Sequence, residues 1–138
     1  PPPPHLPEIR TGPWLWGANC VTLPGPMGEG GACHCTTCRK RSGHFSAYFD
    51  APESSLTWSA RSTREYRTPG GGEQSFCPTC GSSIGFRGAE GTFSIEAGVI
   101  DNPTGGRLTS HIFVADKGDY YALTDGLPQF QQRDDHLS

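Results

Sequence analysis

Cys33-His34-Cys35-Thr36-Thr37-Cys38-Arg39-Lys40-Arg41-Ser42-Gly43 decides how this chain is read. Three thiols fall within six residues, spaced C-x-C-x-x-C, and three cations follow at once. A soft divalent metal is the simplest reason to crowd thiols this way, because a short knuckle turn aims several thiolates at one point, at ~2.3 Å for zinc. A second pair, Cys77-Pro78-Thr79-Cys80-Gly81, repeats the C-x-x-C spacing. Its Pro and Gly suit a tight turn whose amides face the sulfurs. Five of the six cysteines therefore stand at metal-ligand spacing.

Around these knuckles the chain is lean. Hydrophobic residues make up 33% of 138 residues, while there are 19 Gly and 13 Pro. The length suits one domain with its own core, and a metal staple would help a core of this size. Gly and Pro punctuate short runs of β character, which predicts a loop-rich all-β domain. The formal charge is −3 with no basic face, which argues against a nucleic-acid partner. No run approaches the ~20 apolar residues of a membrane span. Clustered C-x-C and C-x-x-C thiols read as reduced, metal-binding cysteines of a cytoplasmic domain rather than as a disulfide framework.

Residues 1–10, PPPPHLPEIR, predict a Pro-rich, disordered arm, followed by one domain over 11–130 and a polar tail over 131–138. Thr11–Leu23 predicts strand–turn–strand, and residues 24–32, PGPMGEGGA, a flexible loop. Further strands are expected at Phe45–Ala51, Leu56–Trp58, Thr63–Thr68, Gln74–Phe76, Ser83–Arg87, Thr92–Val99, His111–Ala115 and Tyr120–Leu123. No window carries a helical period, although a helical turn can follow Cys38.

Spacing alone leaves the thiols open to three readings. Cys35, Cys38, Cys77 and Cys80 can close one structural four-cysteine zinc-ribbon site with Cys33 spare. Alternatively, Cys33, Cys35 and Cys38 hold one metal with a fourth position open, the pattern of catalytic zinc. A redox-active Cys77–Cys80 pair is the third, without the βαβ context that thioredoxin-like chemistry needs.

Several stretches taken together resemble the glutathione-dependent formaldehyde-activating enzyme family, which includes the centromere protein V type proteins. They are Cys33-His34-Cys35-Thr36-Thr37-Cys38-Arg39 with Ser42-Gly43, Phe76-Cys77-Pro78-Thr79-Cys80-Gly81-Ser82, Ala97-Gly98-Val99-Ile100-Asp101-Asn102-Pro103, His111-Ile112-Phe113, and Asp125-Gly126-Leu127-Pro128-Gln129-Phe130. The resemblance implies a β-tent of stacked antiparallel sheets and two zincs. Cys33, Cys35 and Cys38 hold the functional one, and Cys77 and Cys80 join an N-terminal C-x-C pair at the structural one. It also implies a carbon–sulfur lyase that joins glutathione to formaldehyde. Arg39 and Arg41 are then candidates to receive substrate carboxylates, which guanidinium suits, or they are cations on a solvated turn. His44 and His111 are candidates for acid–base or purely structural roles.

The chain departs from the family in one place. Where the first family motif reads T-G-x-C-x-C-G, this chain has Thr11-Gly12-Pro13-Trp14-Leu15-Trp16-Gly17. Indole has no lone pair for a metal, so Trp14 and Trp16 cannot replace the missing ligands. A single zinc is therefore expected, at Cys33, Cys35 and Cys38, with the structural one in doubt. Two other functions fit the same residues: a non-catalytic zinc-ribbon module that binds a protein, and a same-fold enzyme whose different substrate meets Trp14 and Trp16.

Overall fold

The computed structural model describes residues 6–11, 18–88, 92–101 and 103–133. The expectations for residues 1–5 and for Trp14 and Trp16 lie outside these. The protein is all-β, with ten strands and one short helix among the described residues. Strands β1 (Glu8–Thr11), β2 (Asn19–Thr22) and β5 (Thr57–Ala60) form a three-stranded antiparallel sheet in the order β1-β2-β5. The other seven are β3 (Gly28–Cys33), β4 (Ser46–Ala51), β6 (Arg64–Arg67), β7 (Glu73–Phe76), β8 (Ser83–Arg87), β9 (Phe93–Glu96) and β10 (Gly106–Ile112). They form a second sheet in the order β10-β3-β4-β9-β8-β7-β6.

One hydrophobic core joins the sheets. Ile9, Val21 and Leu23 come from the small sheet and its exit, and Phe49, Ile84, Phe93 and Ile95 from the large one. Phe93 and Ile95 alternate inward as a period of two requires. Beyond Glu96 the expected strand gives way to a 3-10 turn, Ala97–Val99, because Ile100 turns back to bridge Ile9. The arm expected over 1–10 is corrected by this bridge. Ile9 is 1% exposed, Leu23 N–H donates to the Pro7 carbonyl (2.9 Å) and Asp101 N–H donates to the Glu8 carbonyl (2.8 Å). Residues 7–11 thus belong to the domain. At the other end Phe113 N–H donates to the Gln132 carbonyl (2.8 Å), so the domain runs past 130.

A second correction concerns β3. Its sequence, Gly-Glu-Gly-Gly-Ala-Cys, reads as loop, yet it is a central strand between β10 and β4. Aromatic rings from β4 occupy the space its side chains leave empty. A Cβ on Gly30 would stand 2.7 Å from the Phe49 ring, and one on Gly31 would stand 2.6 Å from the Tyr48 hydroxyl. Close approach of this kind is what strand glycines permit. The third departure is orientation. β3 pairs β10 in parallel, Gly106 opposite Gly28 and Ile112 opposite Cys33, while the other pairings are antiparallel. The 72 residues between Cys33 and Gly106 make the crossover, and they carry β4 to β9 with them.

Far from the thiols, Arg87 forks onto Glu53 (2.5 and 2.7 Å) and reaches Glu73 (3.0 Å), tying the 3-10 turn Glu53–Ser55 to β7 and β8. Arg87 holds the Glu53 carboxyl below its ordinary range. No helix of the described residues is long and apolar enough to cross a membrane.

Two outcomes follow from this packing. Gly30→Ala drives its Cβ into the Tyr48 carbonyl oxygen and the Phe49 ring and should lower stability by about 1–3 kcal/mol in urea unfolding. Gly25→Ala, with nothing within 4 Å of the new Cβ, should change it little. Because the folded pKa of Glu53 lies below its unfolded value of ~4.3, the unfolded chain binds more protons as pH falls. The stabilisation is therefore complete above that value and is lost as pH drops through the folded one. The stability gap between wild type and Glu53→Gln should be largest near pH 7 and shrink by pH 3.

Candidate metal centre

The thiol knuckle forms where β3 ends. Cys33 is the last residue of β3, His34 N–H closes the β10 ladder on the Ile112 carbonyl (3.0 Å), and the chain then turns into helix α1 (Thr36–Ser42). Cys35 is the N-cap: its backbone is extended (φ −66°, ψ 159°), and its sulfur accepts from the Cys38 N–H at 3.3 Å. Gly43 ends the helix in the left-handed region (φ 87°), donating its N–H to the Arg39 carbonyl at 2.9 Å. The helical turn expected after Cys38 thus begins before it and contains it. Arg39, Lys40 and Arg41 occupy the last turn, where cations face the negative end of the helix.

These elements bring Cys33, Cys35 and Cys38 together. Their sulfurs lie within 4.8 Å of one another, close enough to share one ion. Cys33 is buried, and Cys35 and Cys38 are half-buried, so the cluster meets solvent on one side. Hydrogen bonds from the Cys33 and Cys38 thiols, then the amides of Cys38 and Thr37, hold the Cys35 thiol far below its ordinary range. Sharing those bonds pushes Cys33 and Cys38 upward.

Cys77 and Cys80 lie outside this cluster. Their turn has the tight form expected: Cys77 N–H donates to the Ser82 carbonyl (2.9 Å), Gly81 N–H donates to the Cys77 carbonyl (2.7 Å), and Gly81 takes φ +81°. Cys77 is part of the core, whereas Cys80 is exposed with its sulfur 3.0 Å from the Ser82 hydroxyl. Among the described residues, Cys33, Cys35 and Cys38 are the group arranged to hold a metal ion.

The candidate arginines part company. Arg39 stays near the surface, its Nε donating to the Asp116 carbonyl at 3.0 Å. The side chain of Arg41 is 9% exposed, and its Nη2 faces Glu96 Oε1 (3.3 Å), Ser46 Oγ (3.3 Å) and Cys38 Sγ (3.9 Å).

A row of polar side chains behind the knuckle has little signature in the sequence. His34, fully buried between two of the cysteines, turns away from them, with Nδ1 on the Tyr121 hydroxyl and Nε2 2.9 Å from His111 Nδ1. His111 Nε2 in turn meets Asp125 Oδ2 at 2.8 Å. Asp125, held below its ordinary pKa by the Leu127 N–H and by His111, only accepts. With both rings neutral, His111 donates from Nε2 and accepts at Nδ1, His34 donates from Nε2, and Tyr121 donates to His34 Nδ1. Burial pushes His34 down to about 4, in keeping with a neutral ring. His111 is buried with both ring nitrogens engaged within the protein. His44 stays exposed, its Nδ1 2.6 Å from the Tyr120 hydroxyl, within an aromatic surface of Phe45, Tyr120 and Tyr121.

The family model for the glutathione-dependent formaldehyde-activating enzyme matches residues 21–116, and the chain belongs to that family. A crystal structure of a Rhodobacter sphaeroides protein is similar in fold, with a TM-score of 0.53 at 15% identity over 89% of this chain and 98% of that one. A search of curated proteins gave no significant match.

The row of side chains can be tested apart from any metal. His111→Phe leaves the buried His34 Nε2–H without an acceptor and should cost about 1–3 kcal/mol in chemical unfolding. Asp125→Ala should cost less, because Asp125 is 47% exposed and water can take its place.

Proposed function

We propose that the protein holds one zinc ion at Cys33, Cys35 and Cys38 and joins a glutathione-type thiol to formaldehyde or a related small electrophile, the reverse of a carbon–sulfur lyase reaction. The observation that carries this reading is the three-sulfur cluster with one side toward solvent. The sulfurs of a zinc tetrahedron stand ~3.8 Å apart, within the spread of this cluster. Zinc bound there supplies a position at which an incoming thiol is held as thiolate near neutral pH.

The reaction forms one carbon–sulfur bond. The sulfur electron pair attacks the carbonyl carbon, the carbon–oxygen π pair moves onto oxygen, and the proton given up by the thiol ends on that oxygen. What this chain contributes is placement. Arg39, at the surface one residue from Cys38, is proposed to receive a substrate carboxylate. Arg41, engaged by Glu96, is not free for that role. His44, exposed beside Tyr120, is the imidazole available to carry the proton.

In the first family motif Trp14 and Trp16 stand where cysteines are expected, and an indole offers no lone pair to a metal. The proposal is therefore one zinc per chain. Elemental analysis with X-ray absorption at the zinc edge tests both parts. One zinc with three sulfurs and a lighter fourth ligand, exchanged for sulfur when glutathione is added, is the expected result. Cys38→Ser should lose that zinc. Four protein sulfurs before any thiol is added would identify a closed staple and overturn the enzymatic reading, and two zincs per chain would overturn the stoichiometry.

A further inference from the structure

We infer that Arg41 is a positioning residue for the metal centre: its guanidinium is a fixed donor to the Cys38 sulfur, locked in place by Glu96 and Ser46. This rests on the proposed metal site. A guanidinium only 9% exposed has lost most of its water and needs partners from the protein. An ordinary buried arginine–carboxylate pair forks, with two nitrogens on two oxygens at ~2.7–2.9 Å. Arg87 and Glu53 do so elsewhere in this protein.

Arg41 is different. One nitrogen, Nη2, faces Glu96 Oε1, Ser46 Oγ and Cys38 Sγ together, and both oxygen contacts are long at 3.3 Å. Nε is buried without a partner among the described residues. Ser46 Oγ also donates to Glu96 Oε1, so the hydroxyl and the carboxylate oxygen stand side by side before the same guanidinium nitrogen. The head group thus sits off an optimal ion pair, with the Cys38 sulfur within reach of the same nitrogen at 3.9 Å. Three thiolates around a divalent cation carry a net charge of −1, and a cation against one of those sulfurs offsets it. Donation into the sulfur also fixes its direction, as groups bonded to metal ligands generally do.

The test is zinc affinity, measured by competition with a chromogenic chelator at one pH. Arg41→Met should weaken zinc binding about 10–100-fold. Lys40→Met, an exposed cation on the same helix, should leave it within about twofold. Arg41→Met strands the Glu96 carboxylate, so Arg41→Met/Glu96→Leu removes the pair together and separates the two possible roles. If the arginine acts on the sulfur, the double variant binds zinc as weakly as the single one. If it is only a buried ion pair, the double variant recovers wild-type affinity and the inference fails. In the cobalt-substituted protein, losing the donor leaves a more electron-rich sulfur, so the sulfur-to-cobalt charge-transfer band of Arg41→Met should move to longer wavelength. Unchanged zinc affinity and an unchanged band overturn the inference while leaving the metal site standing. A wild type that retains no zinc overturns both.

Discussion

A histidine fixed between two thiols, with both ring nitrogens already bonded, is the constraint on which the site depends. His34 cannot turn toward the sulfurs without giving up its bonds to the half-buried Tyr121 hydroxyl and to the buried His111 Nδ1. Its ring therefore points one way, and Cys33 and Cys35 on either side must point the other, since successive side chains of an extended segment take opposite faces. The direction of two sulfurs is thus set by hydrogen bonds on the far side of the chain. Asp125 closes the row at its outer end, against His111 Nε2.

Helix α1 shows how little local energy the knuckle contains. It has seven residues, none of them buried, and a helix that short does not stand alone in water. Its ends are fastened by the Cys35 sulfur and by Gly43, with Ser42 bonding back to the Cys38 carbonyl. Sideways, Arg39 reaches the Asp116 carbonyl and Arg41 reaches Glu96 on β9. The basic run is thus divided: Arg39 and Arg41 brace the helix from two sides, and Lys40 is left to solvent.

Much of this was legible in the sequence, and what was not has physical reasons. Ligand spacing is local, so Cys33, Cys35 and Cys38 announce themselves as a group. Strands with clean alternation, such as Phe93 and Ile95, are equally readable. β3 is not, because its hydrophobic cover comes from Tyr48 and Phe49 rather than from its own glycines. α1 carries no apolar stripe from which a period might be read. The parallel partner of β3, and the partners of His34 at 111 and 121, lie so far along the chain that only the folded topology brings them near. The Trp14 and Trp16 departure is the reverse case, plain in the sequence but outside the described residues.

The parallel β3–β10 pairing also sets an order of events. The thiol cluster spans six residues and needs only a turn to gather, whereas its wall waits for a strand that begins 73 residues after Cys33. Short loops close faster and at lower entropic cost than long ones, and parallel pairing across a long crossover is among the slower steps a small domain takes. During synthesis the three cysteines emerge well before β10, so the strand laid beside them is the later part of the site to arrive. What the thiols cannot assemble for themselves, the buried side of the site with His111 and Tyr121, is contributed by residues far along the chain.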